Sequence, residues 1–246
     1  MFARRRFMGV YSNTEIFAGI KDESIICLPF EPKHVAEASL DVTLGYYFYK
    51  QEPDIFNRIY NPFDKNDVHR YFKGPLEAQP HAKWCAENNQ LPFKNIPPDH
   101  PIIVLQPGER ILAHTHEFIG IRASGGAAEI KSRSSWGRNG VAVCFDAGWV
   151  DPGYINRITL EIYNLNKHES VVLPVGERIA QFIFHHAKNV EGSYENGRNG
   201  ISGKYQASSD LSELVKNWSP EQMLPRAYKD SRKIPAKIEG LTKGLK

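Results

Sequence analysis

The chain has 246 residues, of which 41% are hydrophobic and 24% are charged, an ordinary globular composition. No stretch is apolar enough to cross a membrane, and Cys27, Cys85 and Cys144 form no CxxC pair, which argues against a zinc knuckle or a disulfide framework. The cysteines suggest a reducing compartment, and the N-terminus lacks the apolar run of a secretory signal, so we expect a cytoplasmic protein.

The net charge of +3 is unevenly distributed along the chain. Residues 226–246 contain seven Lys and Arg against two acidic residues, a surplus of five, so residues 1–225 together carry −2. A mildly acidic body does not attract polyanions through its overall field, and phosphate binding would need local clusters of cations. The basic tail is more typical of a solvated tail, and we expect no nucleic-acid partner.

Two short elements are predicted near the N-terminus. Residues 12–15 have the Ser-x-x-Glu spacing of a capping box, which predicts a helix that ends near Ile20. Residues 40–44 alternate between apolar side chains and the polar Asp41 and Thr43. That period-2 pattern predicts a strand with one buried face.

Residues 51–101 differ in character from the rest of the chain. They contain eight prolines and no sustained periodicity, which predicts an insertion or an elaborated loop. Trp84 and several phenylalanines argue against disorder, because disordered segments are poor in aromatic residues. We expect this insertion to fold onto a single domain of residues 1–206, followed by a C-terminal helix and basic tail over residues 207–246.

From Ile102 onward, short β-rich runs alternate with turn residues, which predicts a mainly β sandwich, jelly roll or barrel. The predicted strands cover residues 102–105, 110–114, 118–122, 127–132, 140–144, 157–163, 170–173 and 177–184. Residues 191–203, rich in Gly, Asn and Ser, indicate a mobile loop. Apolar residues then recur at helical spacing from Leu211 to Trp218, which predicts an amphipathic helix that packs on the body.

The stretch from Lys131 to Arg138 holds candidate phosphate ligands. Arg133 and Arg138 flank Ser134 and Ser135, and arginine forks and serine hydroxyls are good donors to phosphate. An exposed basic turn explains the same spacing equally well, so both interpretations stay open.

Asp151 and Glu161 are the candidate catalytic carboxylates. Asp151 opens an Asp-Pro-Gly-Tyr turn, where it either caps the turn, grips a sugar hydroxyl or activates water. Glu161 lies with Thr159 and Tyr163 on the polar face of a predicted strand. If that face lines a cleft, a partly desolvated glutamate with a raised pKa can move protons near neutral pH; a solvent-facing polar side would need no function.

Motifs for metal catalysis are absent from the sequence. The chain lacks the zinc-deaminase pattern of HxE with PCxxC, a P-loop and an HExxH helix. His114 and His116 alternate on a predicted strand, but no third ligand accompanies them. We therefore expect no zinc and no protein-ligated metal site.

In their order and spacing, these motifs resemble the dCTP deaminase family of the dUTPase superfamily, whose members are trimeric, β-rich nucleotide hydrolases. The resemblance runs from about residue 12 to residue 206, apart from the proline-rich insertion. Four motifs carry it, namely Arg133-Ser134-Ser135-x-Gly-Arg138, Ala147 to Tyr154, Thr159-Leu160-Glu161 and Arg178-Ile179-Ala180-Gln181. In addition, residues 38–45 are similar to the family's N-terminal strand, and residues 203–206 are similar to the start of its C-terminal lid. It implies a dUTPase-like β-barrel or jelly roll with a few short helices.

The resemblance also implies a role for each matching residue. Glu161 would activate the water that attacks C4 of cytosine without zinc, and Ser134 and Arg138 would position that water and stabilise the tetrahedral intermediate. Asp151 would bind the deoxyribose. The other implied substrate contacts are Arg133, Ser135, Ala147, Trp149, Tyr154, Gln181, Lys204 and Tyr205. Mg²⁺ would bridge the substrate phosphates, and Arg138 would come from a neighbouring subunit of a homotrimer with its sites between subunits.

Members of the family either stop at dUTP or continue to dUMP and pyrophosphate. Gly148-Trp149 is more similar to the dUMP-forming members, in which Asp151 would also help to activate a water that attacks the α-phosphorus. The expected function is therefore zinc-independent conversion of dCTP to dUMP for pyrimidine deoxynucleotide metabolism. Two alternatives stay open. A dUTPase alone would fit Asp151 and its Ala-Gly-Trp turn, and a non-catalytic nucleotide-binding regulator would fit the altered lid after Gln206, the insertion and the basic tail.

Overall fold

The structure is a computed structural model that describes residues 9–52, 56, 59–187, 190–192, 194, 203–206 and 208–230. Most of the loop expected over residues 191–203 and the tail beyond Asp230 lie outside the described residues. The helices are α1 (Asn13–Lys21), α2 (Lys65–Tyr71), α3 (His81–Glu87), α4 (Ser134–Arg138) and α5 (Leu211–Asn217), with 3-10 turns at Pro32–His34, Pro220–Met223 and Ala227–Lys229.

The strands agree closely with the predicted β-rich runs. They are β1 (Ile25–Leu28), β2 (Leu40–Thr43), β3 (Tyr47–Gln51), β4 (Phe72–Glu77), β5 (Gln79–Pro80), β6 (Pro101–Leu105), β7 (Arg110–Ile121), β8 (Ala127–Ser132), β9 (Val141–Val143), β10 (Trp149–Val150), β11 (Ile155–Asn164), β12 (Val171–Pro174) and β13 (Arg178–His185). The predicted mainly β class with a few short helices is confirmed.

Antiparallel pairing joins the described strands into three sheets. The largest has the order β4-β3-β7-β11-β9, with β1 also paired to β7. A second sheet has the order β10-β8-β13-β2, and a third the order β12-β6-β5. The candidate residues of β8, β10 and β13 therefore share one sheet, whereas Glu161 on β11 belongs to another.

Apolar side chains from all three sheets meet in one large buried cluster. Val42, Ile130, Leu160 and Phe182 are each exposed by 1% or less. Because these residues come from strands of two different sheets and pack in the same cluster, the sheets face each other across a common core. At ~25 cal/mol for each Å² of apolar surface removed from water, this core is the main stabilising contribution to the fold.

Helix α1 begins with the predicted capping box. The hydroxyl of Ser12 accepts a hydrogen bond from the backbone N–H of Glu15, and the Glu15 carboxylate accepts one from the N–H of Ser12 at 2.9 Å. Ile16 is fully buried in the core. The cap fixes where the helix starts, and the buried isoleucine fixes which face turns inward.

The strand predicted over residues 40–44 is present as β2, but its second face is buried as well. Asp41 and Thr43 are only 4% and 5% exposed. The Asp41 carboxylate pairs with two arginines, and the Thr43 hydroxyl donates to the Glu117 carboxylate at 2.7 Å. Both polar side chains have partners far away in the sequence, which alternation within one strand cannot reveal, although Asp41 Oδ1 has no partner among the described residues.

Residues 110–114 and 118–122, predicted as two strands, form the single strand β7. Of the polar residues between them, Thr115 and Glu117 are buried. The Thr115 hydroxyl accepts from the Ile158 N–H at 2.9 Å and donates to the Glu117 carbonyl at 2.7 Å. Because these bonds satisfy the polar groups internally, the strand continues where the sequence suggests a break.

The proline-rich segment contains regular structure and packs against the body. Strand β4 extends the large sheet by pairing with β3, and β5 pairs with β6. Val68 and Phe72 are buried in a second cluster together with Leu112 of β7. The status of residues 51–101 as an insertion, and the domain boundary near residue 206, stay predictions.

Helix α5 packs on the body, as its apolar spacing predicts. Asp210 caps it by accepting from the Glu213 N–H at 2.9 Å. Leu214 is buried in a third cluster with Ile26 and Phe118. None of the described helices is long and apolar enough to span a bilayer.

Candidate active site

A cavity of about 390 Å³ is lined by residues of β7, β8, β10 and β11 and by the C-terminal part of the chain. Its size is in the range of small-molecule sites. It brings together six of the predicted site residues, namely Glu161, Asp151, Ala147, Trp149, Tyr154 and Tyr205.

Glu161 faces this cavity rather than bulk solvent. Ile158, Leu160 and Ile162 of β11 point into the core, and Glu161 lies on the opposite side of the strand with Thr159. Its Oε2 atom is buried and has no hydrogen-bond partner among the described residues.

Burial sets the proton affinity of Glu161. Loss of water raises the pKa of its carboxyl above the ordinary 4.5, and its own backbone N–H, the charge of Arg110 and the thiol of Cys144 partly oppose this. Burial likewise raises the pKa of the Cys144 thiol, so the group next to the carboxylate is neutral. A carboxylate with a raised pKa is a stronger base than an exposed one, which suits a group that takes a proton from water.

The Asp151 carboxylate is directed into the cavity and is not needed to close its turn. The backbone carbonyl of Asp151 accepts from the Tyr154 N–H at 3.0 Å, and this bond closes the turn. The carboxylate accepts from the indole N–H of Trp149 at 3.2 Å. Of the alternatives left open for this residue, the geometry therefore favours a ligand-facing carboxylate over a turn cap.

Aromatic rings form one side of the cavity. The rings of Tyr154 and Tyr194 lie 4.7 Å apart, and both tyrosines line the cavity together with Tyr205. Burial raises the pKa of Tyr154, so its hydroxyl stays protonated. Flat rings beside carboxylates suit the face and hydroxyls of a nucleoside.

The C-terminal part of the chain completes the cavity. Met223 and Pro225 line it directly. Arg226 donates from its backbone N–H to the Tyr205 hydroxyl at 3.1 Å, and from Nη1 to the Lys204 carbonyl at 3.0 Å. These bonds attach the C-terminal segment, defined here as residues 219–230, to the predicted lid.

Lys204 does not line the cavity in this arrangement. Its ammonium group forms an ion pair with Asp230 at 2.8 Å. Gln206, two residues further on, is buried, accepts from the Ile155 N–H at 2.7 Å and donates to the Gly153 carbonyl at 3.2 Å. The start of the lid is therefore fixed to the body on both sides of Tyr205.

The other predicted residues, apart from Lys204, form a second group around β13 and helix α4. Arg133 and Arg178 both reach the buried Asp41 carboxylate, each at 3.2 Å. Gln181 donates to the Ser39 hydroxyl at 3.2 Å. This carboxylate holds two guanidinium groups side by side, which concentrates positive charge at one place.

Helix α4 presents the other members of the second group to solvent. The indole N–H of Trp136 donates to the Arg178 carbonyl at 2.9 Å and holds the helix on the sheet. Ser134, Ser135 and Arg138 are exposed and are not among the residues that line the Glu161 cavity. Within one chain, the two groups of predicted residues do not share a pocket.

His114 is engaged by the protein through both ring nitrogens. Its Nδ1 lies 2.8 Å from the Thr115 carbonyl, and its Nε2 accepts from the Tyr47 N–H at 3.2 Å. The ring is therefore neutral with the proton on Nδ1, and burial lowers its pKa to about 4. No group of three or more metal-ligating side chains occurs in the described part of the chain.

The cavity residues that were not predicted from the sequence include Arg110, Tyr194, Met223 and Pro225. Arg110 lies in a Pro-Gly-Glu-Arg turn that has a counterpart at residues 174–178, a repeat that by itself indicates only two similar turns. Met223 and Pro225 follow the predicted helix in a stretch without periodicity. Nothing local distinguishes them from surface residues.

The fold and the site together define a class of protein, namely a β-rich enzyme with a cavity that contains carboxylates and has the size of a nucleotide. The sequence model of the family described as dCTP deaminase-like matches residues 10–187 of this chain. That is more than half of the chain, so the protein belongs to this family, and the recognition made from its motifs is confirmed.

Named relatives agree with this placement. The chain is 30% identical over 203 residues to the "dCTP deaminase, dUMP-forming" of Methanopyrus kandleri, covering 80% of this chain and 91% of that protein. It is 32% identical over 188 residues to the protein of the same name from Tropheryma whipplei, covering 74% and 82%. The crystal structure of the 2'-deoxycytidine 5'-triphosphate deaminase from Agrobacterium tumefaciens matches with a TM-score of 0.49 and 19% identity over 74% of this chain and 50% of that one.

Proposed function

We propose that this protein deaminates dCTP and hydrolyses the product to dUMP and pyrophosphate. The observation that carries the proposal is the cavity in which Glu161, with its raised pKa, lies together with Asp151 and Tyr154. Family membership and the names of the M. kandleri and T. whipplei relatives support the substrate and the product.

In the deamination step, Glu161 takes a proton from water as the water oxygen bonds to C4 of cytosine. The tetrahedral intermediate collapses when the C4–N4 bond breaks and the C4 carbonyl forms; the proton held by Glu161 leaves with the amino group as ammonia, and the second hydrogen of the water passes to N3 of the ring. Burial suits Glu161 to this task because a carboxylate with a raised pKa is a stronger base toward the attacking water. The Ser134 hydroxyl and the Arg138 guanidinium position the water and stabilise the oxyanion.

In the hydrolytic step, Asp151 helps to activate a second water that attacks the α-phosphorus, and pyrophosphate leaves. The substrate enters as its Mg²⁺ complex, with the metal on the phosphates. Arg133, Ser135, Gln181, Lys204 and Tyr205 contact the triphosphate, and Lys204 exchanges its ion pair with Asp230 for a phosphate. Ala147 and Trp149 flank the base and the sugar.

The shortage of cationic side chains in the cavity supports a site that is shared between subunits. The cavity is lined by two carboxylates, and among its described lining residues only Arg110 is cationic. A nucleoside triphosphate carries several negative charges and needs more cations than one. The exposed Arg138 and the paired Arg133 and Arg178 supply them if a neighbouring copy places its helix α4 over the cavity, as in a closed homotrimer.

The experiment incubates the purified protein with dCTP and Mg²⁺, separates the products by anion exchange and runs dUTP in parallel. Wild type should yield dUMP and pyrophosphate. Glu161→Gln should lose at least ~100-fold in deamination while it still binds dCTP, and Glu169→Gln, an exposed glutamate after β11, should match wild type. Accumulating dUTP would limit the protein to deamination, turnover of dUTP alone would make it a dUTPase, and active E161Q would overturn the role of Glu161.

The shared site has its own test, because two variants inactivated in different halves should complement each other. Arg138→Ala and Glu161→Gln, co-expressed in equal amounts, should regain about one quarter of wild-type deamination, since a quarter of the shared sites then combine two intact halves. No recovery in a confirmed mixed oligomer would place both residues of a site in one subunit.

A further inference from the structure

Arg110 enters the cavity from the strand beside Glu161. In the β7–β11 ladder, Arg110 lies opposite Tyr163, and Leu112 lies opposite Glu161. Residues two apart on a strand share a face, so Arg110 and Glu161 are diagonal neighbours on the cavity side. Such diagonal positions are ~7–8 Å apart, within reach of a long side chain.

The guanidinium of Arg110 is held by an aromatic ring. Its carbon atom lies 5.1 Å from the centre of the Tyr163 ring. The Nε atom of Arg110 is buried and, like Glu161 Oε2, has no hydrogen-bond partner in the described part of the chain. Buried donors and acceptors are nearly always paired, so unpaired ones gathered beside a cavity indicate groups kept for a ligand or a reaction.

The charges that face Glu161 come from several elements. Arg110 projects from β7, and the neutral thiol of Cys144 follows β9. Asp151 follows β10 and adds negative charge to the cavity, and the other polar groups around it are the hydroxyls of Tyr154, Tyr194 and Tyr205. Among these described residues, Arg110 is the one positive charge that offsets the burial of Glu161.

We propose that Arg110 is a positioning residue for deamination, which holds the ionised Glu161 carboxylate in the cavity and keeps it able to accept the proton of water. The proposal rests on the proposed function for its role in turnover. The electrostatic link between the two residues stands apart from that function and can be measured without substrate. The effect of Arg110 in lowering the pKa of Glu161 is consistent with it.

Two readouts test Arg110. The first is the pH dependence of kcat for deamination. Removing the cation in Arg110→Gln should move the acidic limb upward by about one pH unit, so that the rate falls about tenfold at low pH and approaches wild type at high pH. Arg110→Lys keeps the charge and should keep the limb in place. Lys50→Gln removes a neighbouring cation that pairs with Glu109 at 2.8 Å, and it should also leave the limb unmoved.

The second readout is the infrared carboxyl titration of Glu161, obtained as the difference between each protein and its Glu161→Gln partner. The midpoint should rise in R110Q and stay near wild type in R110K. An unmoved midpoint and an unmoved acidic limb in folded R110Q would overturn the proposal. If R110Q does not fold, Arg110→Met, whose side chain still packs on Tyr163, replaces it. If wild type does not turn over dCTP, the proposed function fails while the infrared titration still decides the role of Arg110.

Discussion

Met223 offers a direct test of whether the C-terminal segment forms a wall of the active site. The side chain is 4% exposed and packs in the cluster of Tyr49, Val68, Phe72, Leu112 and Leu224, while it also lines the cavity. Truncation of a buried methionine to alanine costs ~2–5 kcal/mol. Because the segment carries no strand of the sheets, this loss should fall on its local docking rather than on global unfolding.

The expected magnitude follows from that cost. A loss of ~2 kcal/mol increases the undocked population about thirtyfold, and 5 kcal/mol increases it several-thousandfold. The amides of Gln222 and Leu224, which donate to Ser219 and Glu221 at 3.0 and 3.2 Å, report the opening. Hydrogen exchange at these amides should accelerate in Met223→Ala while exchange in β7 and β11 stays slow.

Opening of the segment should weaken nucleotide binding as well. Tyr205 and Lys204 lose their bonds to Arg226 when the segment leaves, so the Kd for a non-hydrolysable dCTP analogue should rise at least tenfold in M223A. Met223→Leu, which conserves volume, should cost less than about 1.5 kcal/mol and bind normally. Faster exchange at Leu224 together with an unchanged Kd would refute the idea that this segment shapes the site.

Two further predictions concern the body of the protein. The pKa of His114 is lowered to about 4 from an ordinary 6.5. Between these values the unfolded chain binds more protons than the folded protein, so the free energy of unfolding falls as the pH falls. His114→Leu should therefore remove up to ~3 kcal/mol of this loss in denaturant melts between pH 7 and pH 4, and an unchanged pH profile would contradict the prediction. A Cβ on Gly148 would collide with the Ile130 carbonyl. Gly148→Ala should therefore lower the free energy of unfolding by ~1–3 kcal/mol and raise the KM for dCTP. Gly137→Ala is the control, because a Cβ there meets no atom within 4 Å, and it should leave the thermal melting temperature unchanged.

Strand positions could be predicted because one buried face leaves a visible pattern. In β11, alternating Ile158, Leu160 and Ile162 mark the core side without any knowledge of the partner strands. The pattern fails where polar residues are buried, as at Asp41 and Thr43, because their partners come from distant parts of the chain. Local alternation reports which side chains are apolar, not which polar side chains find a bond inside.

The short helices of the proline-rich segment escaped prediction for a different reason. Helices α2 and α3 have seven residues each, about two turns, too few to show a period of 3.6. Their positions depend on contacts such as Val68 against Leu112 of β7 rather than on their own sequence. The cavity wall at Met223 has the same origin, since it depends on where the chain end docks.

Within the site, the motifs predicted which residues matter better than where they meet. Glu161, Asp151 and Tyr154 converge because β10 and β11 bring them to one cavity. Arg133 and Arg138 carry equally specific motifs, yet they lie on another part of the same chain. A motif records what a residue does to a ligand, and that ligand can lie between two copies of the chain, which no single sequence displays.

The buried polar residues Glu117 and His114 differ from Glu161 and Arg110 in their hydrogen bonds. Glu117 and His114 are as buried as core residues, but each is satisfied by protein partners, and their polarity serves the packing of β7. Glu161 and Arg110 face the cavity, and each keeps a buried polar atom without a partner among the described residues. Leaving a buried polar atom unpaired costs ~1–3 kcal/mol. The fold bears that cost at Glu161 and Arg110, whereas His114 and Glu117 of β7 avoid it, as expected if proton transfer at Glu161 depends on the charge of Arg110.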